Sequence, residues 1–392
     1  MTTGSGSPFT AGVSRRSLLV AAAGMAVFPA SAWAAADPAR LLHDIGSLAG
    51  SGTPSEAADI NDRGDVVGAT SLPGTKTSHA FIMNPRVDGG RLTDITPGEK
   101  RSTRAKAVNA AGVVTGTIGL GLTPSAPGSG QPGGNEPQRV FVWGPRTGLT
   151  VLPLPPGTAG AIAGDINDNG TVLVVGTNDV PDPNAPGMNI PIGSYLWDPV
   201  RRKYTELPLP AGSAAGSVAL AGTLDQCGGV AGGVVTPLGG TAWKHVAVVW
   251  DAGTHAVHEL STGGVSDAFA TDRNEHGVTV GWRMNLPGGR SGAVYWPDRN
   301  AAPVPLPGRV AFEITNSGRI AGIRDFTGSP VFPFTAVLWE PGRGRTTDLG
   351  DHGLGSYVLA LNASGRSAGY SVAGTASSHH NTAVWWDSPG RA

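Results

Sequence analysis

The motif Asn-x-x-Gly, followed by a short β-prone run, recurs along the chain and restricts its fold more than any other feature. "INDRGDVVG" (60–68) returns as "VNAAGVVTG" (108–116), "INDNGTVLVVG" (166–176), "LDQCGGVAG" (224–232), "RNEHGVTVG" (273–281), "ITNSGRIAG" (314–322) and "LNASGRSAG" (361–369). The glycine in register is Gly64, Gly112, Gly170, Gly228, Gly277, Gly318 or Gly365, and three residues before it stands Asn61, Asn109, Asn167, Asp225, Asn274, Thr315 or Asn362. An Asn or Asp side chain bonds its own backbone two residues on, and glycine supplies the positive φ that ends the turn. Each copy is therefore read as a hairpin turn between two strands, and the fixed repetition marks a repeat architecture.

A second register follows each hairpin. A run alternating apolar and small residues leads to Met83, Trp143, Trp197, Trp250, Trp296, Trp339 or Trp386, and a Pro, Gly or Asp comes soon after. That pattern predicts a half-buried strand ending in a turn. A fourth strand ends in Ile95, Leu152, Leu207, Leu260, Leu306 or Leu349, the last four each ten residues beyond their tryptophan. The seventh copy breaks off, because the sequence stops six residues after Trp386. The missing strand is found at the other end: "LLHDIGSL" (41–48), with Ile45 in the aliphatic position, reads like the fourth strands at 91–98 and 345–352. The fold class predicted is all-β, a seven-bladed β-propeller of four-stranded blades, its ring closed by residues 41–48 joining the C-terminal blade. An open β-solenoid, the alternative, would not need its two ends to complement each other.

These repeats resemble the bacterial extracellular family named for a His-Ala-Phe triplet. His79, Ala80 and Phe81 give the triplet once, and "DIGSLAGSGTPSEAADINDRGDVVG" (44–68) matches the rest of that family's unit. Later copies keep the turn and the tryptophan but lose the histidine. The resemblance covers residues 41–392 and implies architecture and an extracellular setting; it implies no reaction, since a fold carries no function by itself.

Residues 1–34 are set apart from the propeller. Arg15 and Arg16 precede the apolar run "LLVAAAGMAVF", which is too short to span a bilayer, and Ala32 and Ala34 offer a small-x-small cleavage site. The segment resembles a twin-arginine export signal. It would be followed by a short lead at 35–40 and a single propeller domain over 41–392, giving a secreted, extracellular protein with no membrane insertion. With 60 Gly and 32 Pro in 392 residues and no long stretch at helical period, composition agrees with a turn-rich β-protein. Loss of the two signal arginines lowers the formal net charge of −1 by two more, which gives no reason to expect a nucleic-acid partner. Cys227 is the only cysteine, so no intrachain disulfide and no Cys-based metal site is open to it. A monomer without cofactor or metal is expected.

Chemical motifs are weak beside the repeat. "DINDNG" (165–170) matches the first half of a calcium loop, with Asp165, Asn167 and Asn169 alternating before Gly170, but the twelfth position is Gly176 where a bidentate glutamate is required. His-Glu-x-x-His and Cys-x-x-Cys are absent. Most of the nine histidines fall where the repeat accounts for them; His43 and His258 occupy equivalent outer-strand positions and His276 a hairpin turn.

Connection length is more informative. In a four-stranded blade, the loop between the second and third strands opens on the same face of the ring as the loop to the next blade. From aligned glycine to aligned tryptophan, the first copy uses 19 residues, the second 31 and the third 27. The extra segments, 119–138 and 178–193, are Pro- and Gly-rich, and they are expected to add no strands and to lie over that face. The same face should carry Trp243, Lys244 and His245 in the fourth blade, Trp282 and Arg283 in the fifth, Arg324 and Asp325 in the sixth, and His379 and His380 in the seventh. Aromatic residues beside cations suit a sugar, a peptide or another small molecule. These nine residues are the candidate ligand-binding set of a secreted binding or scaffold protein. The alternative is an exported lyase or hydrolase acting on a carbohydrate or natural product, with His379 or His380 as base and Arg283 or Arg324 as anion stabiliser. A third reading packs the off-register aromatic residues beneath their own loops.

Overall fold

A computed structural model describes residues 41–120, 122, 137–182, 188–239, 242–286, 290–326, 328–329 and 332–389. Residues 1–40, which hold the expected export signal (1–34) and lead (35–40), lie outside the described residues, as do 123–136 of the first insertion and 183–187 of the second. Among the described residues the strands form seven antiparallel four-stranded sheets. Their innermost strands are Ser55–Ile60, Thr103–Val108, Gly160–Ile166, Val218–Leu224, Asp267–Arg273, Val310–Ile314 and Ser356–Leu361, numbered here as blades 1 to 7.

Blade 7 holds Ser356–Leu361, Ser367–Thr375, Ser378–Trp386 and, on its outer edge, Leu42–Asp44. Leu42 pairs with Trp386, His43 with Trp385 and Asp44 with Val384, as the displaced strand requires. One backbone bond shows the equivalence directly. Ile45 N–H donates to the Ala383 carbonyl at 2.9 Å, just as Leu260 donates to Ala247 at 2.8 Å and Leu349 to Ala336 at 3.0 Å. Ile45 is buried with Phe81, Met83 and Trp385, at the seam between blades 7 and 1.

The tryptophan register is the core register. Trp250, Trp296, Trp339 and Trp386 are fully buried and Trp197 nearly so, whereas Trp143 is only partly buried. Each bridges two blades: Trp250 packs with Leu196 and Leu207 of blade 3, and its indole Nε1–H donates to the Pro208 carbonyl at 2.8 Å. The His-Ala-Phe triplet is also structural. Phe81 and Ala80 are fully enclosed, while the His79 ring sits 2.8 Å from Asp94 Oδ2 and 2.9 Å from the Glu99 carbonyl, tying the third strand to the fourth strand and the connection beyond.

Each turn closes as its sequence dictates. Asn61 Oδ1 accepts from the Arg63 and Asp65 amides, and Gly64, at φ 88°, donates to the Asn61 carbonyl. The second glycine of the motif answers a different demand. Every innermost strand carries a register shift, in blade 1 between Ala57 and Asp59, and a Cβ on Gly68 would run into the Glu56 carbonyl beside it.

The second insertion differs from the sequence expectation. It adds strand after all, since Val172–Pro181 and Asn189–Asp198 run ten residues each and pair out to Pro181 with Asn189. Register shifts beyond Gly176 accommodate Pro191 within the pairing.

Two outcomes check this architecture. Removal of residues 41–48 exposes the edge of Ser378–Trp386 and should lower the melting temperature sharply or cause aggregation; an unchanged melting curve would contradict closure. Trp250→Ala and Trp339→Ala should each cost about 3–5 kcal/mol in denaturant unfolding, as enclosed aromatic truncations do.

Candidate functional site

The two faces of the ring use their polar groups differently. On the face of the Asn-x-x-Gly turns they are engaged from blade to blade. Asn61 Nδ2 donates to the Asn109 carbonyl at 2.9 Å, Asn109 to Asn167 at 3.1 Å, Asn274 to Thr315 at 3.1 Å, and Asn362 to Asn61 at 3.0 Å. Further out, Asp168 Oδ1 accepts from the Ala110 amide and Asp62 Oδ1 from the Ala363 amide, both at 2.8 Å.

Deeper in the channel are four carboxylates, of which sequence reasoning had weighed only Asp165, as part of a calcium-like loop. Asp59 accepts from the Val108 amide at 2.7 Å, Asp165 from Leu224 at 2.8 Å, Asp272 from Ile314 at 2.7 Å and Glu313 from Leu361 at 2.9 Å, each reaching to the next blade. They line a cavity of about 390 Å³ to which every blade contributes. Each keeps a strip of surface toward the channel, but the surrounding wall removes most bulk water. Burial therefore pushes Asp59 up to about 7 and Asp272 up to about 6, with the charge of Asp165 adding to both; Asp165 itself and Glu313 are also raised by burial. Their one sequence signal was an acid two residues before the turn Asn or its equivalent, as in "DIN" and "EIT". The calcium-like match at 165–170 is explained by the same geometry: Asp165 turns away to Leu224 and Thr223, while Asn167 closes the hairpin turn.

On the other face polar groups are mostly paired locally, around a cleft. Arg283 and Arg324 line one cleft between blades 5 and 6, together with Asp325 and with Arg309, which no repeat position had singled out. Arg324 forms a two-point ion pair with Asp348, Nε to Oδ1 at 2.8 Å and Nη2 to Oδ2 at 2.6 Å, and Arg309 pairs with Asp325 at 2.6 Å. Trp282 and Arg283 alternate across their strand, so Trp282 faces the other way. It stacks on Phe269 at 5.8 Å, with the His245 ring edge-on at 5.5 Å and the Asp267 carboxylate 3.3 Å from His245 Nδ1. Trp282 thus packs against a strand of its own blade and a histidine of the preceding one. Trp243 is half-buried and Lys244 exposed, both near the end of the blade 4 hairpin.

His379 and His380 are half-buried at the end of the blade 7 hairpin, and neither lines the arginine cleft. Burial holds His380 below the ordinary imidazole range, helped by His352 and His379. His379 Nδ1 is enclosed without a hydrogen-bond partner. His43 and His258 do prove equivalent: each contacts the aspartate following its register tryptophan, Asp387 at 3.0 Å and Asp251 at 2.8 Å. Residues 365–369, Gly-Arg-Ser-Ala-Gly, have the spacing of a hydrolase nucleophile elbow. Ser367, however, is fully buried within a strand, paired with Leu361, and leads to no helix.

These sheets define a seven-bladed β-propeller, and solved structures agree. The chain is similar to the β-propeller domain of the trilobed protease from Pyrococcus furiosus, which has an open velcro topology, at 10% identity and a TM-score of 0.51 over 85% of this chain and 96% of that one. It is similar to the acylaminoacyl peptidase of Pyrococcus horikoshii at 11% identity and a TM-score of 0.52, over 88% of this chain and 52% of that longer one. Such likeness is of fold alone. No protein-family model matches the sequence, and no curated protein matches it. Among the described residues no helix is long and apolar enough to cross a membrane.

The channel carboxylates give a pH prediction. Their folded-state proton affinity is above that of the unfolded chain, so the stability they contribute is complete below the ordinary carboxylate range and is lost as pH rises through about 6 to 7. The melting temperature should fall between pH 5 and pH 8. In Asp59→Asn/Asp272→Asn, which keeps an oxygen acceptor for Val108 and Ile314, that slope should flatten; an unchanged slope would show that these groups do not titrate in the fold.

Proposed function

We propose that the protein is an exported β-propeller that binds an extracellular ligand on its long-connection face and acts as a monomeric recognition module. The observation that carries this reading is the contrast between the faces. Polar groups on the turn side are committed to bonds between blades, whereas the opposite side holds an open cleft lined by Arg283, Arg309 and Arg324, with Trp282 and His245 packed on the other side of the Arg283 strand. Irregular connections on a rigid scaffold are where recognition residues concentrate. Peptides, glycans and small molecules are the ligand classes that such cations and rings suit. Export rests on Arg15, Arg16 and the apolar run behind them.

A second reading, an exported lyase or hydrolase, draws on His380, which its surroundings keep neutral and so able to accept a proton. It is weakened by geometry, because His379 and His380 lie outside the cleft that holds Arg283 and Arg324.

The mature chain can be screened on glycan and peptide arrays. A ligand found there should lose binding in Lys244→Ala, Arg324→Ala and His380→Ala while these variants melt within a few degrees of the parent. Asp168→Ala, on the turn face, should lower stability and leave binding intact. The reverse pattern would move the site to the channel mouth. Protein recovered from the medium should begin at or near Ala35; a start at Met1 would contradict export with cleavage.

A further inference from the structure

Arg283 is an anomaly within the arginine cleft. It is only 9% exposed, and its Nε is enclosed without a hydrogen-bond partner. Its one bond among the described residues is a long one, from Nη1 to the Thr262 carbonyl at 3.3 Å. Arg309 and Arg324 each have a carboxylate, but those carboxylates are already taken. A guanidinium cannot escape burial by losing its proton, as a lysine or carboxyl group can. An enclosed charge without a counterion is destabilising, and such an arrangement is explained if the counterion arrives with a ligand.

The cleft tells what that ligand carries. It measures about 440 Å³, enough for a chain end and not for a folded partner; beyond the arginines Ala293, Pro305, Leu306 and Pro307 form an apolar side, and Ser291 and the Asp325 carboxylate, which is paired with Arg309, complete the lining. A guanidinium offers paired N–H groups in the plane that matches a carboxylate. An apolar wall beside it suits an aliphatic body more than a sugar ring with its hydroxyls. We propose that the cleft between blades 5 and 6 is a subsite for the free C-terminal carboxylate of a peptide ending in an aliphatic residue, held by Arg283, the one arginine of the cleft that is not ion-paired among the described residues. The inference rests on the reading of this face as the binding face and names its ligand chemistry.

Arg283 has a competing explanation as a staple that holds the Thr262 carbonyl of the preceding connection, and the test separates the two. The mature chain is titrated with Ac-Ala-Ala-Val-Leu carrying a free carboxylate, with the same peptide amidated, and with digalacturonate, following melting temperature and binding heat. The acid peptide should bind at least about tenfold more tightly than its amide, since a charge-assisted hydrogen bond is lost with the charge. Arg283→Met should abolish that preference without lowering the melting temperature of the free protein, because it removes a buried, uncompensated charge. Arg283→Lys should recover part of the preference. The proposal is overturned if the acid peptide shows no advantage over its amide, or if Arg283→Met melts several degrees lower while binding both forms as the parent does, the result a staple would give. A response to digalacturonate in place of the peptide would also overturn it, in favour of an acidic glycan. Equal binding of acid and amide that is still lost in Lys244→Ala or His380→Ala would defeat the carboxylate subsite alone and leave the wider reading of this face standing.

Discussion

Seven sheets become one ring only when every boundary between neighbours is made, and around the channel those boundaries are made by side chains reaching from one blade to the backbone of the next. The Asn ladder of the turns and the carboxylate clamps beneath it do this work together: Asn61 and Asp59 hold blade 2, Asp165 holds blade 4, Asn274 and Asp272 hold blade 6, Glu313 holds blade 7, and Asn362 returns to blade 1. The carboxylates satisfy backbone amides of the next blade, where an unmet donor is expensive, and the Asn side chains add a second bond to turn carbonyls that already accept from their own glycine. The register shift in every innermost strand belongs to the same device, since the extra residue turns the following side chain toward its neighbour.

This commitment explains why the two faces diverge. A turn whose Asn must cap its own hairpin and also reach the next blade has little freedom to vary, and its neighbours Asp62 and Asp168 are drawn into the same contacts. The long connections have no such duty. They tolerate the ten-residue strands of blade 3, the stacked Phe269 and Trp282, and a cleft in which one arginine of three lacks an acid. The tryptophans then bind the scaffold from outside the channel, each filling the gap between one blade and the preceding one.

What could be read from the sequence was what depends on local pattern. The turn glycines, the tryptophan register and the displaced strand at Leu42–Asp44 all repeat at fixed spacing, so the ring and its closure followed. The clamps were harder to see because Asp59 and Asp272 are solvent-side residues by simple alternation, and only the register shift redirects them into the channel. Arg309 was missed because other blades hold a small residue at its position, such as Ser55, Thr103 or Ser356. The grouping of His245 with Trp282, from different blades, and the separation of His379 from Arg283 were likewise unreadable, since the packing of one blade on the next sets them. The buried Ser367 shows the opposite hazard, a motif whose spacing is right and whose place in the fold is wrong.

Closure of the ring by its own N-terminal strand is the claim on which both the clamps and the faces depend, and amide hydrogen exchange reads it directly. The amides of Ile45, Ile95, Leu152, Leu207, Leu260, Leu306 and Leu349 make the same bond to the third strand of their blades. If the ring is closed as described, Ile45 exchanges as slowly as its six counterparts, through the same global opening. Exchange at Ile45 as fast as at a frayed chain end, with the other six protected, would contradict it.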